Sequence, residues 1–260
     1  MAIWEQPQIL SGTGQGQVAP QGDIKPELGL CILHTGQVTM EWAMRFRLLQ
    51  MPPYIYMLNR NCPYDTGREM ITRGVLDRDV KYIFHLDSDT LIPLNTIPLM
   101  IQWMEEFNKP LLSGVYWAKK PSKDPAGNVI PTMPAAWLKT GEHVEENRID
   151  FAPIDIKPHL GTHAIIQADV VGTGCMLIKA DIFKKLDESD PKKPYFQWGL
   201  GRKDINGKPL LQCSEDFYFC TRCVQELGIH PHVCTDILCD HEVMVIKRGS
   251  DGEFELTSRI

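Results

Sequence analysis

Lys81-Tyr82-Ile83-Phe84-His85-Leu86-Asp87-Ser88-Asp89-Thr90 carries the clearest structural signal in the chain. Tyr82 to Leu86 is a short apolar run with aromatic and β-branched residues, the pattern of a strand buried on both faces of a parallel sheet. Two carboxylates follow with one small residue between them, so in extended backbone both project to the same side. Adjacent ionised carboxylates repel, and a divalent cation that also carries a ligand's phosphate oxygens relieves them. The carboxyl ends of strands in open α/β sheets are where ligands bind. The structural alternative for Asp87 and Asp89 is a turn in which Asx side chains bond nearby backbone.

Outward from this strand, alternation sets the fold class. Leu28 to Leu33 reads as a first buried strand ending at His34-Thr35-Gly36, where Thr35 is a candidate nucleotide contact. Val38, Trp42, Phe46 and Leu49 recur at helical spacing, Pro52-Pro53 stops that helix, and Tyr54 to Leu58 is a second strand. Pro63 to Leu76 reads as a helix carrying Arg68 and Arg73. An arginine near strand ends suits a diphosphate, and an exposed position is the alternative, favoured for Arg73. A helix capped at Asn95 or Thr96 runs to about Phe107, and Leu111 to Tyr116 is a further strand. Strand-helix alternation predicts an α/β domain with right-handed crossovers and a mostly parallel sheet covered by helices on both faces.

The second half departs from that rhythm. Lys119 to His163 is rich in Pro, Gly and charge, predicting hairpins and loops that wall an acceptor side. Ile165 to Val171 and Cys175 to Lys179 are strand-like, joined through Gly172-Thr173-Gly174, where backbone can approach a ligand closely; a bulge is the plainer reading. A helix covers Ala180 to Leu186. Ser214 caps another from Glu215 to Leu227, ended by Gly228. Glu215 and Asp216 in its first turn are also explained by the helix dipole alone. Ile229 to Cys234 and Ile237 to Cys239 read as short strands, and Asp240-His241-Glu242 as a polar turn.

Composition narrows the function classes. A chain of 260 residues can bury a substantial core, and a net charge of −6 argues against nucleic acid as the main partner. No apolar run is long enough to span a bilayer and no secretion signal is visible, so a cytoplasmic location with mostly reduced cysteines is expected. Residues 1–26, rich in Gly, Gln and Pro, read as a flexible arm. Residues 27–260 read as one catalytic domain: a nucleotide-binding half (27–118), an acceptor and metal half (119–242) and a C-terminal tail (243–260).

Four motifs in this order (Asp87-Ser88-Asp89; Val170 to Ile178 around Gly172-Thr173-Gly174; Ser214-Glu215-Asp216-Phe217; Asp240-His241) resemble the GT-A fold of nucleotide-sugar-dependent glycosyltransferases. The resemblance covers roughly residues 28 to 242. It implies a GT-A-type, Rossmann-like sheet with a smaller antiparallel, acceptor-side region. It implies transfer of a sugar from a UDP- or GDP-sugar to an acceptor hydroxyl, with inversion expected. Asp89 and His241 would ligate Mn²⁺ or Mg²⁺, and Asp87 would reach the metal or the ribose. Thr35, Arg68, Asp87, Ser88, Gly172, Thr173 and Gly174 would contact the donor. Asp216 would be the catalytic base, with Glu215 as the competing assignment. An imidazole in the metal shell tilts the choice toward Mn²⁺. Thr66-Gly67-Arg68-Glu69 departs from the Ala-Arg-Asn signature of such enzymes.

Three other readings stay open. A haloacid-dehalogenase-like phosphatase would need a threonine where Leu91 stands. A nucleotidyltransferase would want a Gly-rich basic loop that His34-Thr35-Gly36-Gln37 lacks. A non-catalytic domain would hold structural zinc through Cys220, Cys223, Cys234, Cys239 and His241.

Overall fold

The structure, a computed structural model, describes residues 8–12, 25–34, 36–60, 62–117, 122–123, 129–130, 134–248 and 254–259, with side chains over 25–34, 36–60, 62–117 and 134–242. The first half runs β1 (Gln8–Gly12), β2 (Leu28–His34), α1 (Met40–Leu48), β3 (Tyr54–Arg60), α2 (Tyr64–Leu76), β4 (Tyr82–Asp87), β5 (Thr90–Leu91), α3 (Thr96–Glu106) and β6 (Leu111–Val115). Then come β7 (Ser122–Lys123), β8 (Val129–Ile130), β9 (Ala136–His143), β10 (Arg148–Pro153), β11 (Ile165–Gln167), β12 (Val170–Val171) and β13 (Cys175–Lys179). The chain closes with α4 (Asp181–Ser189), α5 (Glu215–Leu227), β14 (His232–Leu238), β15 (Asp240–Arg248) and β16 (Phe254–Arg259).

Eight strands form the main sheet in the order β1-β3-β2-β4-β13-β6-β14-β11. β2, β3 and β4 are parallel, and β6 and β14 run the same way, because β13 lies antiparallel to both β4 and β6. The sheet is therefore mixed and mostly parallel, with a separate three-stranded antiparallel sheet β10-β9-β12, an α/β arrangement. Side chains alternate across it as strand geometry requires. Leu30, Ile32, Phe84, Leu86 and Leu177 pack with Trp42, Ile97, Met100 and Trp103 of α1 and α3 on one face. Cys31, Ile83, Met176 and Ile178 pack with Ile71, Val75, Phe183 and Phe219 of α2, α4 and α5 on the other. α2 lies unusually close to the sheet: a Cβ at Gly67 would come within 2.5 Å of Leu33, and one at Gly74 within 2.3 Å of Met57.

Three local expectations change. Ile165 to Val171 is not one strand. β11 edges the main sheet against β14 while β12 joins β9, and Asp169 turns the chain between them. Its backbone N–H donates to Trp137 O at 2.9 Å, and its carboxylate accepts from the Lys139 N–H at 2.7 Å. Between Ile229 and Cys239 there is a single strand, β14 (His232–Leu238), with a register shift between Cys234 and Leu238, in place of two separate pieces. Asp240-His241-Glu242 is the start of β15, whose Asp240 and His241 pair with Leu91 and Thr90 of β5. An isolated polar triplet gives no strand signal, because its pairing partner lies about 150 residues earlier in the chain. Regular structure also occurs inside both expected tails: β1 pairs with β3, and β15 pairs with β16. Among the described residues, no helix is long and apolar enough to cross a membrane.

Candidate active site

β4 delivers Asp87, and a tight turn leads through Ser88 and Asp89 into β5. The two carboxylates diverge. Asp87 Oδ1 accepts from Arg68 Nη2 at 2.7 Å, whereas Asp89 Oδ1 faces His241 Nε2 at 3.4 Å. The imidazole is oriented by the Trp117 carbonyl, 2.8 Å from Nδ1. A carbonyl only accepts, so a neutral His241 carries its proton on Nδ1 and turns the Nε2 lone pair toward Asp89. Two acceptors facing each other at this distance suit a cation between them. The donor set, one carboxylate and one imidazole, is one that could hold Mn²⁺.

The expected trio does not assemble: among the described residues, no group of three or more His, Cys, Asp and Glu side chains is placed to hold a metal. Asp87 is occupied by Arg68. Asp89 and His241 are the pair the strand pairing brings together.

Arg68 is not the exposed arginine of the structural alternative. It is 2% exposed, and besides Asp87 it reaches Glu215 through Nε at 3.3 Å. The guanidinium thus ties the end of the central strand to the first turn of α5, and its Nη1 is buried without a partner. Arg73 is half-exposed, paired with Glu69 at 2.6 Å and stacked 4.2 Å over Tyr195, in keeping with a surface role. Burial, with the neighbouring Asp216, pushes the Glu215 carboxyl up to about 7. Burial also raises Asp216, opposed by hydrogen bonds from Ser214 Oγ and the Phe217 N–H, the latter at 2.9 Å. A cluster of one guanidinium and three carboxylates remains poised to release or take a proton.

Gly172-Thr173-Gly174 lies directly against these groups. The Asp87 N–H donates to Gly174 O at 3.1 Å, and the Gly174 N–H donates to the Tyr116 hydroxyl at 3.0 Å. A Cβ at Gly172 would sit 1.8 Å from the Tyr116 hydroxyl oxygen, and one at Gly174 would be 3.3 Å from Asp87 Oδ2. The glycines are thus required for close approach, and Thr173 is buried with them. Tyr116 is the residue the sequence reading did not single out. Its ring meets His241 edge-on at 5.7 Å, and it feels the charge of both Asp87 and Asp216. A strand-terminal tyrosine in an apolar run carries no local mark of this role.

A cavity of about 230 Å³ opens beside the motif, lined by Asp87, Ser88 and Asp89 together with Leu33, His34 and Tyr64. It sits at the carboxyl ends of β2 and β4, where α/β sheets bind ligands. Tyr64 is half-exposed there. Thr35 lies outside the described residues.

The zinc reading fails on geometry. Cys220 and Cys223 face the core on the α5 side, while Cys234 and Cys239 lie across the sheet in the opposite core, near Cys175. All four are buried free thiols; burial raises the pKa of Cys220, Cys223 and Cys234, and the hydrogen bond with Cys175, then burial, raises that of Cys239.

No protein-family model matches the sequence, and no curated protein sequence does. Solved structures do. The crystal structure of A197 from STIV superposes with a TM-score of 0.51 at 14% identity, covering 90% of this chain and 94% of that one. The crystal structure of GalNAc-T7 with UDP, GalNAc and Mn²⁺ gives a TM-score of 0.46 at 10% identity, covering 85% of this chain but 44% of the other.

Proposed function

We propose that this chain is a metal-dependent glycosyltransferase that moves a sugar from a nucleoside-diphosphate sugar to an acceptor hydroxyl with inversion. The observation that carries the reading is the convergence at one sheet end of Asp89 facing His241 at 3.4 Å, the Asp87–Arg68–Glu215 bridge, Asp216 and the glycine strand. Gly172-Thr173-Gly174 brings its backbone directly against Asp87 and Tyr116, at the edge of the proposed donor site. The nucleotide enters the cavity beside Ser88, with Tyr64 available to cover a base.

Asp89 and His241 would hold Mn²⁺, which when bound supplies Lewis-acid stabilisation of the departing diphosphate. The chain's own groups do the rest. Asp216 accepts the acceptor hydroxyl's proton as that oxygen bonds to the anomeric carbon and the bond to the diphosphate oxygen breaks. Burial raises its pKa, and the Ser214 hydroxyl and Phe217 N–H hold the carboxylate in place. Arg68 ties Asp87 to Glu215 and so holds the end of β4 against the first turn of α5.

The test is incubation with UDP- and GDP-sugars and Mn²⁺, following release of free nucleoside diphosphate. Release that depends on an added hydroxyl acceptor supports the reading. Pyrophosphate from a nucleoside triphosphate, or phosphate from simple monoesters, would replace it with another phosphoryl-group chemistry.

A further inference from the structure

A second cavity, about 470 Å³, lies between the turn joining β9 to β10, the outer face of α5 and the chain around residues 204–211. It is separate from the Asp87–Asp89 cavity and shares no lining residue with it. Successive turns of α5 present Tyr218, Thr221 and Gln225 to it, and Gln197 joins them from the preceding segment. Among the described residues, the two hydroxyls and two amides have no hydrogen-bond partner, although Tyr218 and Thr221 are 8% and 6% exposed. Apolar surface from Ile149, Leu210 and Leu211 faces the same space.

The charged groups in this lining are largely neutralised. Arg222 donates to both Glu226 carboxylate oxygens at 3.0 and 2.8 Å, and Lys193 pairs with Glu226 at 3.0 Å. Arg148 and His143 both pair with Asp150, at 3.2 and 2.6 Å. Basic and acidic side chains nearly balance, so an anion would find little attraction here. Uncommitted neutral donors and acceptors beside an aromatic ring and aliphatic patches match a molecule with hydroxyl edges and a C–H face.

We infer that this cavity is a binding site for a neutral saccharide, distinct from the site of transfer. Its ligand follows from its own lining, so the inference stands or falls separately from the reading of Asp216 and His241.

The experiment is saturation-transfer difference NMR on the full chain with cellotetraose, maltotetraose, chitotetraose and mannotetraose as probes, each with and without UDP and Mn²⁺. The expected result is saturation transfer to at least one probe that persists with UDP and Mn²⁺ present. The Thr221→Val/Gln225→Ala double variant should weaken that probe's affinity by about tenfold, the loss of two neutral hydrogen bonds. Tyr218→Phe, which keeps the ring, should weaken it less. Gln225 is exposed, so Gln225→Ala alone serves if the double variant does not fold. Absence of transfer to every probe, displacement by UDP and Mn²⁺, or unchanged affinity in the folded variants would each overturn the inference.

Discussion

Asp216 is the proposed base, and Arg68 the buried cation whose charge it feels. Asp216→Asn keeps the shape and would remove the proposed base. Transfer should fall about 10²–10⁴-fold while UDP-dependent thermal stabilisation persists, measured by nucleotide release and a melting curve on the same sample. Arg68→Met leaves Asp87 and Glu215 without their shared cation, and breaking a buried pair from one side costs about 3–5 kcal/mol in urea unfolding. His85 offers a pH test. It is fully buried against Phe196, its Nε2 lies 3.2 Å from Thr72 Oγ1, and its Nδ1 has no partner. Burial, reinforced by the Arg68 charge, holds its pKa well below the ordinary 6.5. The folded state therefore binds fewer protons than the unfolded chain. Stability from this group is full above about pH 6.5 and declines as pH falls below it. His85→Gln should flatten the loss of unfolding free energy between about pH 7.5 and about 5.5; an equally steep decline in the variant would remove His85 as its source.

Strand β13 and the glycines before it make the site possible as a structural element. Its antiparallel insertion between β4 and β6 sets Gly174 beside Asp87 and brings the Tyr116 hydroxyl against Gly172. Gly172→Ala should destabilise the fold by about 1–3 kcal/mol through overpacking. Tyr116→Phe in the same chain should recover part of that loss, because the clash is with the hydroxyl oxygen. Non-additivity in the double-mutant cycle is the measurement; simple addition would mean the ring, not the hydroxyl, is the obstacle. The glycines are visible in the sequence as Gly172-Thr173-Gly174. Their neighbour is not, since Tyr116 follows β6, 56 residues before Gly172, in an ordinary apolar context.

Across the whole molecule, the candidate metal pair depends on β15 crossing back to β5. Thr39 at the N-cap of α1 donates to Glu242 at 2.8 and 2.9 Å, and Arg45 lies 3.6 Å from Asp240, so the first helix clamps the strand that carries His241. His241→Ala should leave the fold intact and abolish the Mn²⁺-dependent part of UDP stabilisation, read as a melting shift with and without metal. Thr39→Val should weaken the same metal response to a smaller degree by loosening that strand. A metal response unchanged in His241→Ala would exclude the imidazole as a ligand.

Periodicity alone determined the alternating strands and helices of the first half, the two-faced burial of Tyr82 to Leu86, and the position of two acidic groups at the end of that strand. These are local properties, because the side-chain repeats of strand and helix are written in neighbouring residues. Tertiary structure alone decided that Arg68 is spent on Asp87 and Glu215, that Asp87 is no partner to Asp89 and His241, and that the cysteines fall into separate cores. Each of those outcomes turns on which distant segment pairs with which, and the free energy that settles it comes from burial and hydrogen bonding between elements far apart in the chain.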